Sequence, residues 1–267
     1  MKSAWTRSGG VSYHLRAINQ RYSTWAPFFQ IVRKWLVSDW RPTNTRLVIF
    51  GSSAGWSLPL EFLSQFNSIV IVEPDPLARM IFTFRFRHLK KLEFLAVNNL
   101  LPWFDKEECF EKFIEAERNS AFLFSNLLGQ IAFHLDFQDT NSSREESNRR
   151  FLKQMKDQTW ASYHDVLSSP TDFSWHHTSR ENSPKVSSLE PWRIDAQNSK
   201  TLNIEDLTRH WIKWQNNHRI TINDHDTLWL SKGRTTEFAP WHFKPNYHHL
   251  IGWTMSANQI TIGQDEF

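Results

Sequence analysis

The sequence predicts a three-layer α/β sandwich, with helices covering both faces of a mostly parallel sheet. Three observations carry this. Short, largely apolar runs between polar turns recur at residues 46–50, 68–73, 92–97 and 120–126, and a strand that is apolar on both sides is one covered on both faces. Helical patterns separate these runs, and strand–helix–strand–helix is the rhythm of a parallel sheet. The chain has 267 residues, 40% of them hydrophobic, which suits one domain with a full core.

Taken in order, residues 1–43 form an N-terminal helical extension. Within it "WAPFFQIVRKWLVSDW" places Phe28, Ile31, Val32, Trp35 and Leu36 at helical spacing on one face. "RPTNTR" ends that pattern. A core follows at 44–168. Its first strand, "RLVIF", runs into the small-residue loop "GSSAG" and a helix, "LPLEFLSQF", with Pro59 in the first turn. The second strand ends on Glu73, and Asp75-Pro76 then supplies an N-cap and a first-turn proline for "PLARMIFTFRFRHL". "LEFLAV" is a third strand. "DKEECFEKFIEAER" is a helix with Phe110, Phe113 and Ile114 inward, and "SAFLFSN" is a fourth strand. Ser143 and Glu146 read as a capping box for the next helix, and 160–168 reads as a fifth strand. Residues 169–202 are Ser/Pro-rich and without period, a long loop or lid. The remainder, 203–267, returns to the same sheet. It contains a helix with Ile204, Leu207, Trp211 and Trp214 on one face, then strands near "DTLWL" and "HHLIGWTM".

The totals exclude some classes and leave others open. A formal charge of +3, a pI near 9.0 and no run of five basic residues neither require nor forbid nucleic acid. The 14 Trp and 21 Phe fill a core, with some left to line a pocket for a flat ligand. A single cysteine, Cys109, rules out an intramolecular disulfide and fits a reducing compartment. Residues 1–22 lack the apolar centre of a secretory signal, and no window approaches the ~18 apolar residues of a membrane helix. The expectation is a soluble, cytoplasmic protein.

The loop after the first strand has two readings. Gly51-Ser52-Ser53-Ala54-Gly55 matches G-x-S-x-G, the turn that presents a nucleophilic serine, and Ser53, Asp165 and His225 or His242 could complete a triad. Against this, the turn follows the first clear strand and no His/Gly-rich loop precedes it. The other reading is a Rossmann-like nucleotide cradle, which demands an acidic residue about 20 positions on, at the end of the second strand. Glu73 lies 22 positions beyond Gly51. On this reading Ser53 is present for its size. A nicotinamide site fits less well, because the third glycine of G-x-G-x-x-G is missing and Trp56 directly follows Gly55.

"LVIFGSSAGWSLP", "IVIVEPDPLAR", "AVNNLLPW" and "FLFSNLLGQ", in that order and spacing, resemble the successive motifs of class I S-adenosylmethionine-dependent methyltransferases. The resemblance covers about 46–130. It implies S-adenosyl-L-methionine as cofactor and a seven-stranded sheet whose last strand runs antiparallel, supplied by "WHFKPNYHHLIGWTM" as a hairpin. It also implies that Gly51, Ser52, Ser53 and Gly55 lie under the cofactor, that Glu73 holds the ribose with Asp75 beside it, that Asn98 sits near the adenine, and that Asn126 sits by the sulfonium. Three positions depart from the pattern. Ile49 replaces an acidic residue, Ser53 replaces the middle glycine, and Asn126-Leu127-Leu128-Gly129 lacks the double proline of amide and base-amine methylating enzymes. These departures motivate a second reading, a non-catalytic methyltransferase-like scaffold for partner binding.

Methyl transfer needs positioning and, for a protonated acceptor, a base. Candidates follow the later strands: His164 and Asp165, and His225 between Asp224 and Asp226. The plain alternative is that each Asp caps a turn and each His packs against an aromatic. No metal is expected: His176-His177, and His242 with His248-His249, show no helical ligand pair, and adjacent histidines on a strand face opposite ways. Trp175 and Trp192 could close over a substrate or anchor the long loop. The acceptor is unidentified, with RNA or a small aromatic molecule compatible.

Overall fold

The computed structural model describes residues 10–89, 91–95, 97, 107–130, 141–170, 192–194, 223–231 and 234–256. Five parallel strands form its centre: β1 (Arg46–Phe50), β2 (Ser68–Val72), β3 (Leu92–Leu95), β4 (Ala121–Ser125) and β5 (Thr159–Ser169). A closing hairpin follows, β8 (Thr236–Lys244) and β9 (Tyr247–Met255), and β9 runs antiparallel to both β5 and β8. The order is β3-β2-β1-β4-β5-β9-β8-β6. Two strands beyond the expected seven are the three-residue β6 (Trp192–Ile194) on β8 and the two-residue β7 (Asn223–Asp224) on β5.

Burial alternates along each central strand. Leu47 and Ile49 of β1 join one apolar cluster, while Val48 and Phe50 join the other. Ile69 and Ile71 against Val70 and Val72, and Ala121 and Leu123 against Phe122 and Phe124, divide the same way. This is why the runs carry no polar alternation: each strand is covered on both faces.

The first face is covered by α1 (Val11–Gln20), α2 (Ala26–Lys34), α3 (Leu60–Leu63) and α4 (Pro76–Arg85). The other is covered by α5 (Glu107–Ala116) and α6 (Asn141–Gln154), through Phe110, Ile114 and Phe151. The predicted stripe of α2 is buried as expected. α2 runs into a π-helical turn, Trp35–Asp39, that delivers Trp35 to the sheet. Trp35 stacks on Trp253 of β9 at 5.5 Å between centroids, and Phe28 stacks on Trp241 of β8 at 4.8 Å. The N-terminal helices are therefore built into the core against the last hairpin.

Local differences have local causes. "DTLWL" is a turn and a 3-10 helix (Leu228–Ser231), not a strand. The Asp224 carboxylate accepts the Asp226 N–H at 2.8 Å, and Asp226 adopts a left-handed φ of 52°, which ends the extended run. The helix after the loop lasts four residues, with Pro59 as its N-cap instead of inside its first turn. The helix expected from Ser143 begins at Asn141. The helix around Trp211 and Trp214, most of the 169–202 loop, and Asn98 lie outside the described residues.

Candidate functional site

Strand order reverses between β1 and β4, so their C-terminal ends form the topological switch point, the crevice where open α/β sheets bind ligands. The loop leaving β1 takes left-handed backbone at four positions: Gly51 (φ 70°), Ser53 (46°), Ala54 (64°) and Gly55 (65°). Gly51 also passes close to the tip of β4, where an added Cβ would lie 3.2 Å from Leu127 Cβ. At Gly55 an added Cβ would lie 2.6 Å from the Phe86 ring, so the loop rests directly on the aromatic residues of α4. Left-handed backbone at Ser53 and Ala54 costs roughly 1–2 kcal/mol each, which the surroundings must offset.

Glu73 supplies that offset. One carboxylate oxygen accepts the Ser53 N–H at 2.8 Å and the Ser52 hydroxyl at 3.1 Å, and the other accepts the Asp75 N–H at 3.1 Å. Burial pushes its carboxyl up, and the three donors partly counter this. The loop and the acid form one unit at the β1–β2 tips. Asp75 caps α4 by accepting from Leu77 N at 2.9 Å, as predicted.

The other oxygen of Asp75 meets His14 Nε2 at 3.4 Å. Nδ1 of His14 accepts the indole N–H of Trp56 at 3.0 Å, which places the ring proton on Nε2. Arg85 lies 4.3 Å over the Trp56 ring and donates to the Ala54 carbonyl at 2.9 Å. Burial and the nearby Arg21 lower Arg85 to about 10, so it stays cationic at neutral pH. These contacts draw α1, the loop and α4 together over one side of the crevice.

Two tyrosines converge there. The Tyr163 hydroxyl bonds Ser57 Oγ at 2.7 Å and also bonds Ser125 Oγ. The Tyr13 hydroxyl lies in the electrostatic reach of Tyr163, Glu73, Arg85 and Asp165, with burial the main cause of its raised pKa. Asn126 ends β4 in left-handed backbone (φ 50°) and donates its N–H to the Tyr163 carbonyl at 2.8 Å, while its Oδ1 accepts the Asp165 N–H at 3.0 Å.

Beyond Tyr163, β5 bulges at Val166, so that Asp165 opposes Ile251 while Leu167 opposes Leu250. The extra residue changes the parity of the strand and brings Asp165 and Ser168 to one face. Asp165 Oδ1 lies 2.7 Å from His249 Nδ1. His225 donates from Nδ1 to the Gly129 carbonyl at 2.9 Å, and its Nε2 accepts from Ser168 Oγ at 3.0 Å. Burial alone would raise the Asp165 carboxyl, but His249 and His225 outweigh it and hold it below the ordinary range.

The structure thus gathers Gly51, Ser52, Ser53, Gly55, Glu73 and Asp75 at one tip, and Asn126, Asp165 and His225 at the neighbouring one. His164 stands apart. Adjacent to Asp165, it points to the opposite face of β5, is fully buried against Gly252, bonds Ser162 Oγ at 3.1 Å, and is lowered by burial to about 3. That is a neutral core histidine. Ser53 has no histidine bonded to it among the described residues, and His242 is an exposed residue stacked on His248. Sequence reasoning did not single out Tyr13, His14 or Tyr163, and it weighed His249 only as half of an adjacent pair. Alternation in "HHLIGWTM" does separate His248 from His249, but which of them meets Asp165 depends on the bulge.

No protein-family model matches the chain, and none of the curated proteins matches it. Solved structures do. N-methyltransferase NodS from Bradyrhizobium japonicum WM9, in complex with S-adenosyl-L-homocysteine, is similar at 8% identity and a TM-score of 0.44, covering 92% of this chain and 97% of that one. A complex named DhpI-SAM-HEP gives 12% identity and a TM-score of 0.37 over 90% and 94% of the two chains. A putative RNA methyltransferase, PH1948 from Pyrococcus horikoshii, gives 12% and 0.35 over 93% and 98%. These likenesses are loose, and the strand order defines the architecture without them.

Proposed function

We propose that this chain binds S-adenosylmethionine in the crevice at the tips of β1, β2 and β4 and transfers its methyl group. The observation that carries this is Glu73: an acid at the end of β2, locked to the left-handed loop of β1 at the switch point. A carboxylate has about four acceptor positions, and Glu73 uses three on the protein, which leaves one for a ribose hydroxyl. The site suits an adenosyl group, with the small-residue loop beneath it, Glu73 for the sugar, and Asn126 and Tyr13 toward the reacting end.

When bound, the cofactor supplies an electrophilic methyl on a sulfonium, so that positioning provides much of the rate. Ser57 and Ser125 fix the Tyr163 hydroxyl as one wall. Asn126 holds the Asp165 main chain in register with the crevice. Asp165 and His225 stand where an acceptor proton would be taken up, and His164 takes no part.

The use of three of the four acceptor positions of Glu73 by the protein's own donors also supports the second reading, a scaffold that keeps the fold and binds partners. Calorimetric titration with S-adenosylmethionine and S-adenosylhomocysteine separates the two. Methyl transfer expects one site at micromolar affinity, about −8 kcal/mol, weakened at least tenfold by Glu73→Ala in folded protein. Absence of heat for both ligands would refute cofactor binding and leave the scaffold.

A further inference from the structure

We propose that Asp165, His225 and His249 form a binding site for a divalent transition-metal ion of the zinc class. The cluster is assembled from three separate segments: β5, the turn before the 3-10 helix, and β9. One ligand atom from each residue lies within 4.8 Å of the other two. In a tetrahedral site, metal–nitrogen and metal–oxygen bonds of about 2.0–2.2 Å place two ligands about 3.3–3.6 Å apart. The spacing is therefore wider than a closed site by up to about 1.5 Å, so the three side chains must rotate inward as the ion binds.

The surroundings fix the ligands as a metal site requires. His225 donates from Nδ1 to the Gly129 carbonyl, which leaves Nε2 as its metal-binding nitrogen; outer hydrogen bonds of this kind orient metal-binding histidines. The hydroxyl of Ser168 meets that nitrogen, and Ser168 has an alternative partner in Tyr247 at 3.1 Å. The Asp165 main chain is clamped on both sides, its N–H to Asn126 and its carbonyl to Thr227 Oγ1 at 2.9 Å. His249 has one nitrogen beside Asp165, and its other, Nε2, is buried with no hydrogen-bond partner. A hydrogen-bonded network alone leaves that atom unexplained.

Two imidazoles and one carboxylate select borderline ions such as zinc, cobalt or iron(II) over calcium or magnesium, which prefer all-oxygen sets. The set is one ligand short of a closed tetrahedral site, so a further position remains for water or a ligand oxygen. Trp241, Phe243 and Tyr247 ring His249 at 5.1–5.6 Å and keep the dielectric low. Because His248 and His249 face opposite ways, the pair is not expected to bind one metal ion together. The structure uses that same separation to bring in His249 alone. The site shares Asp165 and His225 with the proposed proton acceptor, but it rests on the geometry of the ligand atoms and not on cofactor binding.

The test uses the full chain without an affinity tag, stripped with a chelator and titrated with zinc by calorimetry and with cobalt by visible absorption. One equivalent bound, with cobalt bands of a low-coordinate N/O site, is the expected result. Asp165→Asn and His249→Gln should each weaken binding at least a hundredfold, with circular dichroism confirming that they remain folded. No stoichiometric binding by the wild-type chain would overturn the proposal, and this outcome requires no variant to fold. Unchanged affinity in both variants would also overturn it, by placing the ion elsewhere among the 12 histidines. Neither arm contains S-adenosylmethionine, so failure here is distinct from failure of the cofactor reading.

Discussion

His164 allows a quantitative test of the inward face of β5. In the fold its imidazole is lowered by burial to about 3, against 6.5 when solvated. Its Nε2 has no partner, and its Nδ1 meets only Ser162. A histidine held neutral by folding contributes stability that is fully present above pH 6.5 and is lost as pH falls toward 3, because the unfolded chain then binds the extra proton. Each pH unit in that window is worth about 1.4 kcal/mol. At pH 5 the loss is about 2 kcal/mol, and over the whole window it approaches about 5 kcal/mol. His164→Leu removes the titration and substitutes a side chain that suits the apolar site. At pH 7 the variant should lie within about 1 kcal/mol of wild type, since the lost Ser162 bond is offset by removal of an unpartnered nitrogen. At pH 5 it should be the more stable protein by about 2 kcal/mol. The assay is urea unfolding at pH 7, 6 and 5, where a difference of this size moves the midpoint by about 1 M. His14, lowered by burial in the same direction, leaves a residual slope of the same sign in the variant. Parallel pH profiles for the two proteins would refute the reasoning, by showing that His164 is hydrated or charged in the fold.

Other consequences follow from the close contacts around the crevice. Gly129→Ala would place a Cβ 2.5 Å from the Asp165 carbonyl oxygen and 2.8 Å from its nitrogen. Two backbones must then separate, so we expect about 3 kcal/mol of destabilisation in urea unfolding, together with loss of cobalt binding at Asp165. Trp56→Phe removes the donor to His14 Nδ1 and leaves that nitrogen buried and unpaired. The expected cost is about 1–3 kcal/mol, and a double-mutant cycle with His14→Leu should return most of it as coupling; additive losses would show that the two rings do not interact.

Much of the fold was legible locally. The apolar runs of β1, β2 and β4 read directly as doubly covered strands because burial on both faces removes alternation, and Asp75-Pro76 announced α4 because an N-cap and a first-turn proline act within a few residues. The acid at position 73 was likewise legible, since one crossover sets its distance from Gly51. "DTLWL" misread because three apolar residues in a 3-10 turn look like three in a strand.

What the chain alone could not show is which side chains from distant segments share a space. His164 and Asp165 are neighbours in sequence, yet pleating sends one into the core and the other to the crevice. His249 reaches Asp165 because one extra residue at Val166 shifts the parity of β5 against β9. Tyr13 and His14 meet the loop only because α1 folds back over it. The sequence by itself determined the order of the elements and the residues at their tips, since propensity, capping and periodicity are short-range. Only the tertiary structure decided the contents of the site, since a bulge, a strand register and a returning helix are set by packing across the whole sheet.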